Sequence, residues 1–302
     1  MNTPTSVAHS FDEGVSPGDL SPEGLGPIPG VTRQKRLEPS KIIAPLVLLA
    51  VFLGIWYLMH YWGLRFFFDK DGKRLVPTPL QVWDGTIMRP IARHRYIEGI
   101  KWTSIVAFGG LAITIVIGCT LAVLMSQAKW VEGAVYPYLV ALQAVPVLAV
   151  IPLIYSVFGG GIAPRFFVCI MIAFFPIVTN TLFGLNSADP DQHDLFTLRN
   201  ASRWTRLVKL QLPAALPNIF TGFRISAGLS VIGAVVGEQF FRAGSKPGVG
   251  IVMDNYRVKG IYAPLYGGVI LACLLGIFTF LLFGWISKLA IGSWYEAGKR
   301  KT

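Results

Sequence analysis

The sequence predicts an all-α integral membrane protein with about six transmembrane helices. Hydrophobic residues make up 53% of the 302 residues and charged residues only 14%. The apolar residues stand in continuous blocks of about 20, the length that a helix needs to cross a bilayer. They do not alternate with polar residues as in a membrane β-barrel. One polytopic helical domain is therefore expected instead of two soluble ones.

The net charge of +11 does not indicate nucleic-acid binding. Lys and Arg are scattered among short loops and tails, which is typical of segments that border membrane spans. Cys119, Cys169 and Cys273 lie inside apolar blocks without CxxC spacing. Neither a disulfide scaffold nor a metal site is expected from them.

The two ends of the chain are predicted to be tails. Residues 1–40 are rich in Pro, Gly, Ser and acids, which favours a disordered segment. The first apolar run begins near Ile42 and is too long for a cleavable signal peptide. A transmembrane domain is placed at residues 41–294 and a basic tail at residues 295–302.

Six spans are predicted inside that domain, and they place both termini on one side of the membrane. Pro146, Pro152 and Pro176 fall within spans three and four, where packed helices or a water-lined path must satisfy the freed carbonyls. Lys and Arg are equally numerous on the two sides, so charge does not orient the chain. The spans cover about residues 42–62, 102–125, 136–158, 166–185, 219–241 and 264–291.

The 189–217 loop is the longest polar interruption between the last four spans. Asp189 is expected to cap a helix that starts at Pro190, with Gln192 at the capping-box position. Further along, an apolar stripe and a basic stripe at helical spacing predict an amphipathic helix suited to docking. The apolar stripe is Trp204, Leu207 and Val208, and the basic one is Arg203, Arg206 and Lys209.

The motifs of common enzyme sites are missing from the sequence. There is no phosphate-binding GxxxxGK[ST], no HExxH and no GxSxG. The four histidines are far apart in sequence. Neither an enzyme active site nor a metal-dependent reaction is therefore predicted.

Two charged residues in or near span five are candidates for the solute path. Arg224 lies about 10 Å into the span and must snorkel, pair or face water, because an unpaired charge in lipid is costly. Glu238, near the other end, is either an interfacial anchor or a path residue. Small residues predict that this span packs closely against another helix. They are Gly222, Ser226, Gly233 and Gly237.

The 189–217 loop resembles the EAA loop of bacterial ABC importer permeases of the nitrate/sulfonate/taurine family. In that loop a Glu-Ala-Ala triplet is followed by Gly and then by an apolar-x-Leu-Pro ending. Asp194-Leu195-Phe196 takes the place of the triplet, Asn200 that of the glycine, and Leu210–Pro213 that of the ending, with the spacing intact.

Other segments carry the same resemblance, which extends over about residues 42–294. They are VPTP (76–79), AVPVLAVIPLIYSVFGGG (144–161), FPIVTNTLFGL (175–185), ASRW (201–204), LPAALP (212–217) and GVG (248–250).

The resemblance implies a type I ABC importer permease fold, with the loop docked into a groove of an ATPase subunit in the cytoplasm. Both termini are then cytoplasmic, in a cell membrane. The implied complex holds two permease copies, two ATPase subunits that bind ATP and Mg²⁺, and an extracytoplasmic solute-binding protein. No cofactor is expected in this chain. The implied coupling residues are Asp194, Leu195, Phe196, Asn200, Ala201, Arg203, Trp204, Leu207, Leu212 and Pro213.

The loop departs from the family pattern at the triplet and at the glycine. Asp keeps the acid, and Asn is the non-glycine residue that best tolerates a left-handed turn. The fold of the loop is therefore expected to persist. The altered triplet and glycine indicate either a dedicated ATPase partner or membership of a diverged subfamily.

The implied cargo is a small sulfonate, nitrate, bicarbonate or similar solute, and a thiamine- or riboflavin-precursor heterocycle is the alternative. Arg224 weakly favours an anion. A secondary transporter would require mid-span ionisable residues and an internal repeat, and a membrane enzyme would require clustered His or acids. Neither pattern is present in the sequence.

Overall fold

The computed structural model describes residues 40–63, 75–244 and 246–299. Within these ranges the chain is helical and has no strand, as predicted. The described residues fall into two units, one that ends at Ile55 and one that begins at Trp56. The predicted N-terminal tail lies outside the described residues except for residue 40, and so does the end of the basic tail, residues 300–302.

The helices follow in an order that alternates long apolar segments with short connections. In chain order they are α1 (Ser40–Leu58), α2 (Pro79–Trp83), α3 (Pro90–Gln127), α4 (Lys129–Ala144), α5 (Val147–Phe158), α6 (Ile162–Leu185), α7 (Pro190–Leu198), α8 (Arg203–Arg206), α9 (Leu212–Phe240), α10 (Val249–Val258) and α11 (Tyr262–Lys299). Single π-helical turns follow α1, α2 and α8, at Met59–Gly63, Asp84–Met88 and Leu207–Gln211.

Five described segments are long and apolar enough to cross a membrane, and α4 with α5 makes a sixth if the bent pair is one span. The predicted number of about six is thus confirmed. The prediction of one continuous third span is wrong, because α4 and α5 meet at an angle of 101°. Pro146 has no N–H and forces Val145 into an extended conformation, with φ −68° and ψ 120°.

Three helices are longer than the spans predicted for them. α3 starts at Pro90, α9 starts at Leu212 and α11 continues to Lys299. Pro213 lies in the first turn of α9, directly after the π turn, and has no N–H to donate to that turn. Hydrophobicity locates the part of a helix that lies in lipid, and helical structure extends beyond it.

The core of the second unit is the seam between α6 and α9, where small residues permit close contact, as predicted. A Cβ atom on Gly233 would lie 2.7 Å from the Cα of Cys169, and one on Gly237 would lie 3.0 Å from the Cα of Arg165. The Ser226 hydroxyl donates to the carbonyl of Ala173 at 2.8 Å. The two backbones are therefore in direct van der Waals contact.

The connection before α11 was predicted to be a loop, and it contains a buried helix. Val249, Val252, Met253 and Tyr256 of α10 pack against Ala92 and Tyr96 of α3 in one apolar cluster. These residues recur at i, i+3, i+4 and i+7, the helical signal that the Gly- and Pro-rich flanks obscured.

Candidate functional site

The 189–217 loop begins with the predicted cap. The Asp189 carboxylate accepts a hydrogen bond from the Asp191 N–H at 3.0 Å, and Pro190 occupies the first turn of α7. Gln192 contributes only its backbone N–H, which donates to the Asp189 carbonyl at 3.1 Å. The predicted cap is therefore present, whereas neither reciprocal bond of a capping box is formed, because the Asp189 side chain accepts from Asp191 and not from Gln192.

Asn200 ends α7 in the left-handed conformation expected from its sequence position. Its φ is 50°, the only positive φ of a non-glycine residue in the described ranges. The Asn200 N–H donates to the Thr197 carbonyl at 2.9 Å, and the Ala201 N–H donates to the Phe196 carbonyl at 3.0 Å. These two bonds form a Schellman motif, which turns the chain sharply into α8.

The second half of the loop is fixed by buried apolar side chains and by one cross-link to α7. Leu207 is 3% exposed and packs with Leu185, Ala215 and Ile219. The Arg206 guanidinium donates to the Thr197 hydroxyl at 2.9 Å and joins α8 to α7. The loop is thus a preformed unit on the ends of α6 and α9.

The predicted apolar stripe does not face one direction. Trp204 and Val208 are 71% and 42% exposed, whereas Leu207 is buried. Leu195 and Leu198 of α7 are also exposed. Large apolar side chains therefore point away from the spans on both short helices.

The other predicted coupling residues lie around this exposed surface. Asp194 and Arg203 are exposed, Phe196 and Ala201 are half-buried, and Leu212 and Pro213 begin α9 at half-buried positions. Together with Asn200, Trp204 and Leu207 they occupy one contiguous stretch of chain. Leu207 packs into the protein, and Trp204 lies on its surface.

Two cavities lie beside the loop, between α4 and α6. The larger, which we call the loop cavity, has a volume of about 880 Å³ and is lined by Lys129, Glu132, His193, Asp194 and Gln211 among others. The smaller, which we call the polar cleft, has about 420 Å³ and adjoins it through Glu132, Tyr136 and Asn186. Gln127 donates to Gln211 at 3.1 Å and places the end of α3 on this same side.

Arg224 is exposed on α9 and lies against an aromatic ring. Its guanidinium carbon is 4.0 Å from the centroid of the Phe280 ring on α11. No acidic residue in the described part of the chain forms an ion pair with it. A cation–π contact thus holds one face of the guanidinium, and the rest of the group is accessible.

Glu238 is fully buried, and its carboxylate caps α10. One carboxylate oxygen accepts from the Gly250 N–H at 2.9 Å and from the Thr103 hydroxyl at 3.0 Å. The Thr103 oxygen in turn accepts from the Val249 N–H at 2.9 Å. The first N–H groups of α10 are therefore satisfied by an acid inside the protein.

Sequence reasoning missed Arg165, which it counted among the outer loop cations. The side chain is 1% exposed and donates to the carbonyls of Phe241 and Lys246, at 2.8 and 2.9 Å. Asp254 of α10 pairs with Arg242 and with Arg257. Arg165 thus holds the start of the segment from Phe241 to Val258, and Asp254 holds its end. Both side chains are recognised by their burial, which the sequence does not show.

The comparisons with known proteins agree on one family. Residues 114–291 match the model of the binding-protein-dependent transport system inner membrane component. The chain is 35% identical over 210 residues to the formylaminopyrimidine transport permease protein of Halalkalibacterium halodurans, which covers 68% of this chain and 80% of that protein. It is 26% identical over 278 residues to the bicarbonate transport system permease protein of Synechococcus elongatus, which covers 87% and 96%.

Among solved structures, the inward-facing MetNI methionine ABC transporter has the same fold. The TM-score is 0.59 at 16% identity, over 67% of this chain and 99% of that one.

Proposed function

The chain belongs to the family of inner membrane components of binding-protein-dependent transport systems, and from that premise we propose how it works within a complete importer. It is the transmembrane permease of an ABC importer, a transport component and not a catalytic one. Two copies form the solute path, two ATPase subunits with ATP and Mg²⁺ bind the 189–217 loops, and a binding protein delivers the solute from outside.

The observation that carries the docking proposal is the exposed apolar surface of a rigid loop. Leu195, Leu198 and Trp204 are 61%, 80% and 71% exposed outside the spans. Fixed aromatic and aliphatic groups of this kind lose little entropy on binding and serve as anchors in partner grooves. Arg203 adds a positive charge that fits an acidic rim.

The same proposal orients the chain. The loop side of the membrane is the cytoplasm because ATP is there, and an even number of spans then places both termini inside. Residues 41–294 form the transmembrane domain in this arrangement. Closure of the two ATPases moves the loops as rigid bodies and alternates access to the path.

Replacing Trp204 with Ala tests this proposal. Loss of a central aromatic anchor costs about 2 kcal/mol or more, so the affinity for the ATPase falls about 30-fold. The ATPase that co-purifies with tagged permease is measured, together with its ATP hydrolysis. Asp194→Lys is expected to act in the same direction. Trp83→Ala is the control, because Trp83 is exposed on α2, outside the loop. Equal retention of the ATPase by both Trp variants refutes the docking role.

Two cargo classes are supported by relatives. The name of the cyanobacterial bicarbonate permease supports a small anion, and Arg224 would attract one. The formylaminopyrimidine permease supports a heterocycle and has the higher identity, 35% against 26%. ATP-dependent uptake of each class, with the binding protein present, identifies the cargo. Uptake that continues without ATP hydrolysis and stops with the ion gradient overturns the importer proposal.

A further inference from the structure

The polar cleft lies between the first half of the broken third span and the end of span four. Its lining combines a carboxylate, two amides, two aromatic rings and a hydroxyl group. These come from Glu132, Tyr136, Thr179, Asn180, Phe183 and Asn186. A volume of about 420 Å³ accommodates a small heterocycle.

The polar side chains of the cleft on α6 follow Pro176, a proline inside that helix. Proline-interrupted helices and polar side chains are tolerated in membrane spans where they line a cavity, so this lining is suited to a water-lined path. The Asn180 amide donates to the Pro176 carbonyl at 2.8 Å, and the Thr179 hydroxyl donates to that of Phe175 at 2.8 Å.

These bonds leave the cleft rich in acceptors. The Asn180 side-chain oxygen and the Thr179 oxygen remain free to accept, whereas the Thr179 hydroxyl proton and one of the two Asn180 amide N–H groups are already donated. No hydrogen bond or ion pair joins the Glu132 carboxylate to any described residue. Tyr136 and Phe183, at 43% and 68% exposed, offer planar faces.

The charge of the cleft has one sign. Its lining contains Glu132 and no Lys, Arg or His. Lys129 and His193 lie in the adjoining loop cavity instead. A negative, acceptor-rich wall repels small anions and attracts solutes that carry N–H donors.

We propose that the polar cleft is a cargo-binding site of the inner half of the path. It takes a planar solute, neutral or cationic, that bears N–H donors, as an aminopyrimidine does. Glu132 and Asn180 accept its hydrogen bonds and Tyr136 and Phe183 pack on its ring. This deepens the proposed importer function and rests on it, and it selects the heterocycle over the anion.

Cysteine labelling tests the charge selectivity without any partner. Cys119 and Cys273 are first replaced by Ser, and Asn186→Cys is then introduced at the edge of the cleft. Cationic and anionic methanethiosulfonate reagents are compared at low salt. We expect the cationic reagent to react about tenfold faster, and Glu132→Gln to abolish that preference. Ser187→Cys is the control, because Ser187 is exposed and outside the lining.

Protection by candidate solutes identifies the ligand class in the same assay. Formylaminopyrimidine is expected to slow labelling at Asn186→Cys and not at Ser187→Cys. Protection by nitrate, bicarbonate or methanesulfonate, or equal labelling by both reagents, overturns the inference. These outcomes leave the importer proposal intact, because that proposal fails only if ATP-dependent uptake of every solute is absent.

Uptake by the assembled transporter provides a second readout. Glu132→Gln is expected to lower uptake of formylaminopyrimidine at least tenfold while the ATPase remains bound. Glu98→Gln is the matched control, since Glu98 is an exposed acid on α3 outside the cleft. Unchanged uptake in Glu132→Gln contradicts the assignment.

Discussion

At the scale of single residues, the buried side chains of Glu238 and Arg165 fasten distant segments of the chain to each other. Glu238 accepts from Thr103, which lies 135 residues away in the chain, and Arg165 donates to a carbonyl 81 residues away. The sequence places Glu238 near the end of an apolar segment, which made it a candidate for the solute path, and places Arg165 just before one, among the loop cations. Their partners are set by tertiary packing, so the capping role could not be predicted.

Replacing Glu238 with Ala is expected to release α10. The N–H of Gly250 and the hydroxyl of Thr103 lose a charged acceptor inside the protein, at a cost of about 3 kcal/mol in the free energy of unfolding. Limited tryptic cleavage after Arg242, Arg257 and Lys259 should become faster. Glu98→Ala is the control at an exposed acid, and equal cleavage of the two variants would contradict the capping role.

Asn200 shows how much the backbone preference of one residue can predict. Its place at the family's glycine position predicted a left-handed turn, and its φ of 50° confirms that turn. The prediction succeeded because only one residue's own conformation was involved. The exposure of Trp204 beside a buried Leu207 depends on how the loop packs against the spans, which no local preference shows.

At the scale of elements, the sequence predicts which helices exist better than where they end. Apolar blocks located each span, and the small residues of α9 predicted its close packing. The break between α4 and α5 was missed because the α4–α5 block contains three prolines, Pro137, Pro146 and Pro152, two of them inside helices. Whether a proline bends or breaks a span depends on which neighbours satisfy its carbonyls.

The seam between α6 and α9 gives a prediction with a control on the same helix. Gly233→Ala places a Cβ against the backbone of Cys169, so the helices must separate, and we expect a loss of about 1–3 kcal/mol in stability. Gly228→Ala meets no atom within 4 Å and is expected to leave stability unchanged or slightly higher. Thermal unfolding in detergent compares them, and equal melting temperatures would contradict the packing argument.

At the scale of the whole molecule, the fold class was predictable because the bilayer permits few solutions. Every backbone group in lipid must be satisfied within the chain, so apolar blocks of this length are helices. The cargo was less accessible to sequence reasoning. Arg224 weakly favoured an anion, whereas the proposal of an N–H-bearing cargo depends on the placement of Glu132, Asn180 and Tyr136 around one cleft.

Arg224 and Glu132 therefore distinguish the two cargo classes. With an N–H-bearing cargo, Arg224→Gln is expected to change uptake less than about twofold, because it removes a cation–π contact worth about 1 kcal/mol and no ligand contact. If the cargo is an anion, Arg224→Gln is expected to lower uptake by a larger factor than it lowers the amount of ATPase that the permease retains. Uptake by Arg224→Gln and by Glu132→Gln, each normalised to bound ATPase, decides between them.

The continuity of α8, the π turn and α9 has a mechanical consequence. Residues 203–240 form one helical stretch of 38 residues, roughly 57 Å of stiff rod. Close contacts with α6 extend along α9 from Gly222 to Gly237, so the two helices are expected to move as one body when the loop is pushed. A displacement at Trp204 would then be transmitted to Glu238 and the cap of α10, roughly 51 Å away along the rod.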